Sequence, residues 1–195
     1  NKLTLTTQPI YKFVNEHSVV FDGTDQYINV NTLAGTMSTG QAFTISVWFK
    51  STAFVGGAST SIIFSAHTNS GGNIYRLGLS SSGGIFYAAS VSDTVVGSTN
   101  YSDSKWHHLA VTRSTGSSTS TFYVDGVSIG TIANTNPVWD NATQYSIGQE
   151  FDGAFPTDEF IGNIDELALY DRELTQAEIT RMYNTYYSPN RVANG

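Results

Sequence analysis

The segment Phe43 to Lys50 alternates without a break: Phe43, Ile45, Val47 and Phe49 fall on one face, and Thr44, Ser46, Trp48 and Lys50 on the other. A period of two is the side-chain period of a β-strand, and such alternation means that one face is turned to a core. The pattern recurs at close spacing. Ser18 to Phe21 and Tyr27 to Val30 flank the turn Asp22-Gly23-Thr24-Asp25, in which glycine supplies a positive φ. Ile62 to Ala66, Tyr75 to Leu79 and Ile85 to Ser90 are separated by Asn/Ser/Gly clusters. Trp106 to Arg113 sets His107, Leu109 and Val111 against Trp106, His108, Ala110 and Thr112. Thr121 to Val124 runs through Asp125-Gly126 into Val127 to Ile132, a strong hairpin signal, and Tyr145 to Gly148 follows. Short strands joined by such turns specify an all-β, antiparallel sandwich or barrel.

The last strand is Phe160 to Tyr170, FIGNIDELALY. Strict alternation puts Asp165 on one face with Leu167 and Leu169, and Ile164, Glu166, Ala168 and Tyr170 on the other. A carboxylate on an apolar face needs a partner: a metal ion, a ring of backbone N–H groups or a base. Directly after it comes the only segment that reads as a helix. Thr175-Gln176-Ala177-Glu178 is a capping box, followed by the apolar stripe Ile179, Met182 and Tyr183. Residues 1–17 read as an N-terminal arm or edge strand and residues 188–195 as an irregular tail, so that 1–195 is expected to form one domain.

Composition excludes several functions. The net charge is −7 and only 13% of residues are charged, which leaves no basic patch for nucleic acid or anionic membrane. No apolar run reaches the ~18 residues of a membrane span, so no membrane insertion is expected. Without cysteine there are no disulfides, thiolate metal sites or cysteine nucleophiles. A cysteine-free, Ser/Thr/Asn/Gly-rich chain with few lysines suits an extracellular, cell-surface or virion setting. Neither G-x-S-x-G nor H-E-x-x-H occurs. His107 and His108, adjacent in a strand, face opposite ways and cannot chelate one metal, and His17, His67 and His108 read as ordinary surface or hydrogen-bonded histidines.

Five segments in order, SVVFDGTDQYINV (18–30), FTISVWFK (43–50), KWHHLAVTR (105–113), FYVDGVSIGT (122–131) and FIGNIDELALYDRELTQAEI (160–179), resemble the laminin-G-like, concanavalin A-like lectin/glucanase superfamily in its bacterial and phage branch. The resemblance implies a two-sheet jelly roll with the Phe160 strand near residues 18–21. It also implies a common aromatic pattern in which Trp48, Trp106 and Tyr123 pack under loops. That superfamily holds lectins, hydrolases, adhesion modules and structural domains on one scaffold, so the site must decide.

Hydrolases on this fold resemble Glu-x-Asp-x-Glu or Glu-x-Asp-x-x-Glu, with two carboxylates on one face; a retaining pair stands about 5 Å apart. Here Asn163 occupies the first glutamate position, Leu167 stands where the last could be, and Glu166 takes the opposite face from Asp165, which argues against a glycoside hydrolase. The resemblance further implies a structural Ca2+ where the turn after the first strand meets the last strand. Asp22, Gly23 and Asp165 are the matching positions, with backbone N–H groups of the FDG turn as the metal-free alternative. Sugar binding needs an exposed aromatic face beside groups that bond hydroxyls. The loop rim supplies Trp139, Asp140, Asn141, Phe151, Asp152, Phe155 and Asp158 as candidates, although its aromatics could equally cap the sandwich edge. The function expected is a non-catalytic lectin-like module for glycans or a cell-surface partner. The alternative is a structural or interaction domain of a virion, such as a capsid decoration or tail appendage, and the oligomeric state stays open.

Overall fold

The computed structural model describes residues 17–52, 60–70, 72–89, 93–133, 136–152 and 155–186, apart from the side chains of Asp152, Phe155, Pro156 and Tyr186. The arm, the tail and parts of five loops lie outside these. Fourteen strands and one helix follow in chain order: β1 (Val19–Asp22), β2 (Ile28–Asn29), β3 (Phe43–Ser51), β4 (Thr60–His67), β5 (Asn73–Ser80), β6 (Ile85–Ala88), β7 (Thr94–Val96), β8 (His107–Arg113), β9 (Ser120–Val124), β10 (Val127–Ile132), β11 (Gln144–Ile147), β12 (Glu150–Asp152), β13 (Phe155–Thr157), β14 (Ile161–Tyr170) and α1 (Gln176–Tyr186). Two six-stranded antiparallel sheets, ordered β1-β14-β3-β8-β9-β10 and β2-β11-β4-β5-β6-β7, face each other, and β12-β13 forms a separate hairpin. This is the expected jelly-roll sandwich, with β1 against β14 as the resemblance implied.

The inner faces supply one continuous core that includes Phe43, Ile45, Val47 and Phe49 from β3 and Leu109 and Val111 from β8. The alternation that marked these strands in the sequence is therefore the alternation that fills the core. Asp125-Gly126 makes the β9–β10 turn with φ of 52° and 77° at its two residues, the pair of positive values that suits a two-residue hairpin.

The outer faces are covered too. Over the first sheet lies α1, whose N-terminus is the expected capping box: the Thr175 N–H donates to Glu178 Oε2 (2.8 Å) and the Glu178 N–H to Thr175 Oγ1 (3.3 Å). The Arg172 guanidinium also grips Glu178, and with Thr175 it holds that carboxyl down to about 2. The helix buries Ile179 against Ala110, Tyr123 and Leu174, while Tyr183 stacks on Trp48 at 5.8 Å. Trp48 and Tyr123 thus pack under the helix, and not under loops as expected.

Asp125 also ties this face to the neighbouring loops. Its Oδ1 accepts the His108 N–H (2.9 Å), and its Oδ2 lies 2.8 Å from His107 Nδ1; His107 Nε2 lies 3.1 Å from Asp103 Oδ1, and Asp103 Oδ2 pairs with Lys105 Nζ. Burial disfavours the His107 imidazolium, but hydrogen bonds to Asp125 and Asp103 outweigh it and raise its pKa above 6.5. For His108 burial dominates over the attraction of Asp125, and its pKa falls to about 4. The two work in opposite directions. A raised His107 stabilises the fold below its unfolded pKa of 6.5 and loses that contribution as pH rises through its folded value. A depressed His108 costs stability as pH falls from 6.5 towards about 4, because only the unfolded chain takes up the proton there. Urea-unfolding midpoints measured from about pH 4 to about pH 9 are expected to peak near neutrality, and His107→Gln to flatten the alkaline arm alone.

Candidate functional site

The closing strand β14 carries a break in register. Asp165 is paired with Trp48 of β3, and the next paired residue is Ala168, opposite Ser46. The intervening bulge holds Glu166 at φ 52°, a left-handed conformation that costs a non-glycine residue, and the Asp165 carboxylate accepts the Glu166 N–H at 2.8 Å. The bulge changes which residues face the core. Before it Ile164 faces inward, and after it Leu167 and Leu169 do. Asp165 sits opposite Trp48, whose ring packs under α1, so it does not share a face with the two leucines as strict alternation predicted.

Register also separates the expected calcium ligands. Asp22 pairs with Ile161, four residues from Asp165, which is about 13 Å along the strand. Bonds to calcium are only about 2.3–2.6 Å long, so the two carboxylates cannot share one ion. Asp22 instead closes its own turn around Gly23, whose φ is 76°. Its Oδ1 accepts the Thr24 N–H (3.0 Å), its Oδ2 the Gln26 amide (3.0 Å), and its own N–H donates back to Gln26 Oε1 (3.0 Å). The same register keeps the FDG turn away from Asp165, whose carboxylate accepts the Glu166 amide within the bulge. Among the described residues no cluster of three His, Asp or Glu side chains is arranged for a metal.

The loop-rim candidates divide. Trp139 is fully buried in a short 3-10 turn, its indole packed on Phe43 (5.6 Å), Tyr75 (5.0 Å) and Tyr145 (6.4 Å). It belongs to the core and offers no face to a ligand, which corrects its assignment as a rim aromatic. Asp140 and Asn141 remain exposed on that turn, Asp140 facing Thr39 across two long contacts of 3.4 Å. Asp158, at φ 51°, is a latch: its carboxylate accepts Thr60 Oγ1 (2.6 Å) and its carbonyl accepts the Ile62 N–H (2.9 Å). The side chains of Asp152 and Phe155 lie outside the described residues, although their backbones pair in the β12–β13 hairpin.

Phe151 has the most suggestive surroundings. Its position is fixed by its neighbour Glu150, a buried carboxylate 3.1 Å from the Arg76 guanidinium on β5; Arg76 also pairs with Asp93 and lies over the Phe86 ring. The hairpin is thereby anchored to the second sheet, and the half-buried Phe151 ring reaches His67 at 5.9 Å and Tyr27 at 5.6 Å, nearly perpendicular to the latter. Tyr27 is 42% exposed. It follows directly on the Asp22–Gln26 turn, so an open aromatic ring stands in sequence beside a polar turn. In the sequence Tyr27 stands as the start of an expected strand, Tyr27 to Val30. Its signal is an aromatic between a polar turn that carries Asp and Gln and a very short edge strand, β2.

The nearest approach to a nucleophile–base pair is Ser46 Oγ, 2.8 Å from His108 Nε2. Both are buried, and the adjoining cavity, bordered by Trp48, Glu166, Tyr170 and Met182, holds only about 40 Å³. That is room for a water molecule and too little for a sugar.

The profile of the concanavalin A-like lectin/glucanase superfamily matches residues 22–180. The chain belongs to that superfamily. Among solved structures, it is similar to the native heptameric SAP-like pentraxin of Limulus polyphemus, with 19% identity, TM-score 0.64, and 85% of this chain and 81% of the other covered. It is also similar to domain 4 of the arabinanase AbnA of Geobacillus stearothermophilus in complex with arabinotriose (21% identity, TM-score 0.62, coverage 85% and 76%). A third is the CBM40 of the Ruminococcus gnavus IT-sialidase bound to α2,3 sialyllactose (13% identity, TM-score 0.71, coverage 86% and 97%). Identities this low establish the common fold alone. No curated protein sequence matches the chain.

Ser46 is expected to be structural. Ser46→Ala leaves the buried His108 Nε2 without its hydroxyl partner and is expected to cost about 1–3 kcal/mol in urea unfolding, with ligand binding by the folded protein unchanged.

Proposed function

We propose that this protein is a non-catalytic, lectin-like module that binds glycans, with the Tyr27–Phe151 pair as its sugar-contacting surface. The observation that carries the proposal is the exposed Tyr27 ring, braced edge-to-face by Phe151 and adjacent in sequence to the Asp22–Gln26 turn. A pyranose presents an apolar C–H face to an aromatic ring and hydroxyls to nearby amides and carboxylates, and this combination offers both. Similar folds that carry arabinotriose or sialyllactose support the ligand class in general. The non-catalytic part rests on the sequence of β14, where Asn163 stands in place of the first glutamate of the hydrolase pattern and Leu167 where the last could be. We place the module outside the cell or on a virion on the strength of its cysteine-free, polar composition.

A panel of neutral and sialylated oligosaccharides titrated into the full chain, with and without calcium, tests the proposal. Tyr27→Ala is expected to weaken binding by about tenfold or more, and Tyr27→Phe to stay within about threefold of the wild type. Absence of binding to every sugar, or equal affinity in Tyr27→Ala, would reject the reading. A role as a protein-binding domain of a virion or cell surface is the second reading, favoured by the exposed Val19, Val20 and Ile28 on one flank.

A further inference from the structure

Charge is distributed unevenly around the Tyr27–Phe151 pair. The turn that leads into Tyr27 carries two exposed carboxylates, Asp22 and Asp25. Asp22 is engaged with Thr24 and Gln26, but these are neutral partners that leave its charge in place, and Asp25 takes no part in that network. Among the described residues, the second sheet and the β12–β13 hairpin carry a single Lys or Arg, Arg76 on β5. Its side chain is only 11% exposed and is committed twice, to the buried Glu150 carboxylate and to Asp93, with the Phe86 ring beneath it. In the order β2-β11-β4-β5 it stands three strand spacings from β2, the strand that Tyr27 leads into, or about 14 Å.

The remaining described lysines and arginines belong to the first sheet and its helix. Lys105 pairs with Asp103 and Arg172 with Glu178, while Lys50 lies over the Trp106 ring. Arg113 is buried and bonded to the Gln41 carbonyl and Asn136, and Arg181 is on α1. An acid group on a ligand at Tyr27 therefore faces two like charges, with no described guanidinium placed to grip it as a fork. A sugar hydroxyl loses nothing there, since it donates hydrogen bonds to a carboxylate. The net charge of −7 adds to the repulsion of an anion.

We infer that this site takes glycans without acid groups and turns away sialylated, uronic or sulfated ones, with Asp22 and Asp25 setting the preference. This selectivity rests on the proposed Tyr27–Phe151 surface and narrows its ligand class. It sets the chain apart from the similarly folded CBM40 that is bound to α2,3 sialyllactose. A unit charge at roughly 8 Å in water changes the affinity for another about twofold, so two carboxylates are expected to act about fivefold at low ionic strength. In ~1 M salt, where the Debye length is about 3 Å, the effect is expected to vanish.

Matched pairs titrated into the full chain at about pH 8, where histidine is neutral, test this. The pairs are lactose beside α2,3 sialyllactose, and cellotriose beside the same trisaccharide oxidised to a terminal glucuronate. At ~10 mM salt the acidic member of a binding pair is expected to bind about fivefold more weakly, and the gap to close at ~1 M salt. Asp25→Lys is expected to raise the affinity for the acidic member about fivefold and to leave the neutral one within about twofold. Asp171→Lys changes the net charge equally, but it follows Tyr170, about 30 Å along β14 from the Ile161 that pairs with Asp22, and is expected to change neither affinity. Three results overturn the inference: an acidic member that binds as tightly as its neutral partner, a gap that persists in high salt, or equal effects of the two substitutions. In each of them, loss of binding in Tyr27→Ala still upholds the surface itself. If no member of either pair binds, surface and selectivity fall together.

Discussion

The sandwich depends on β14, which sits between β1 and β3 and joins the end of the described chain to its beginning. Its bulge is the constraint from which much else follows. Two residues, Glu166 and Leu167, separate the paired Asp165 and Ala168, so the strand changes phase halfway along. The first half turns Ile164 into the core and the second half turns Leu167 and Leu169 there. A straight strand with this sequence would have to bury either Ile164 or the two leucines, and never both. The Glu166 backbone conformation carries the strain of this arrangement, and the Asp165 carboxylate offsets part of it by accepting the Glu166 N–H. The Asp165 carboxylate on this strand shapes the backbone.

Most of the fold was legible because its strands obey local rules. The clean alternation of Phe43 to Lys50, the Asp125-Gly126 turn and the Thr175–Glu178 capping box each act over a few residues, and each appears where the sequence puts it. The jelly-roll strand order came from the resemblance, because pairing between distant strands leaves no local trace. The bulge was not legible: Asp165, Leu167 and Leu169 alternate in sequence, and only the competition between Ile164 and the leucines for the core breaks that pattern. The same limit hid the distance between Asp22 and Asp165, which one register fixes.

The candidate site shows the same division. Trp139 sits in a segment without periodicity and read as a rim residue, yet Phe43, Tyr75 and Tyr145 from three other strands enclose it. Phe151 was one of the rim candidates, but the ring it packs on, Tyr27, lies near the other end of the chain. With α1 over one sheet and the Glu150-anchored hairpin over the other, the broad outer faces are largely covered. On the proposed function, recognition is left to the rim and to the β1–β2 flank, where exposed apolar and aromatic side chains gather.

That division between architecture on β14 and recognition at the rim is the central claim, and Asp165→Ala tests it most directly. The variant and the wild type are compared in urea unfolding and in affinity for a bound oligosaccharide, on the same preparations. The account predicts a loss of about 1 kcal/mol in stability, with the affinity of the folded protein within about twofold of the wild type. Unchanged stability with binding abolished would contradict it and return Asp165 to the ligand site.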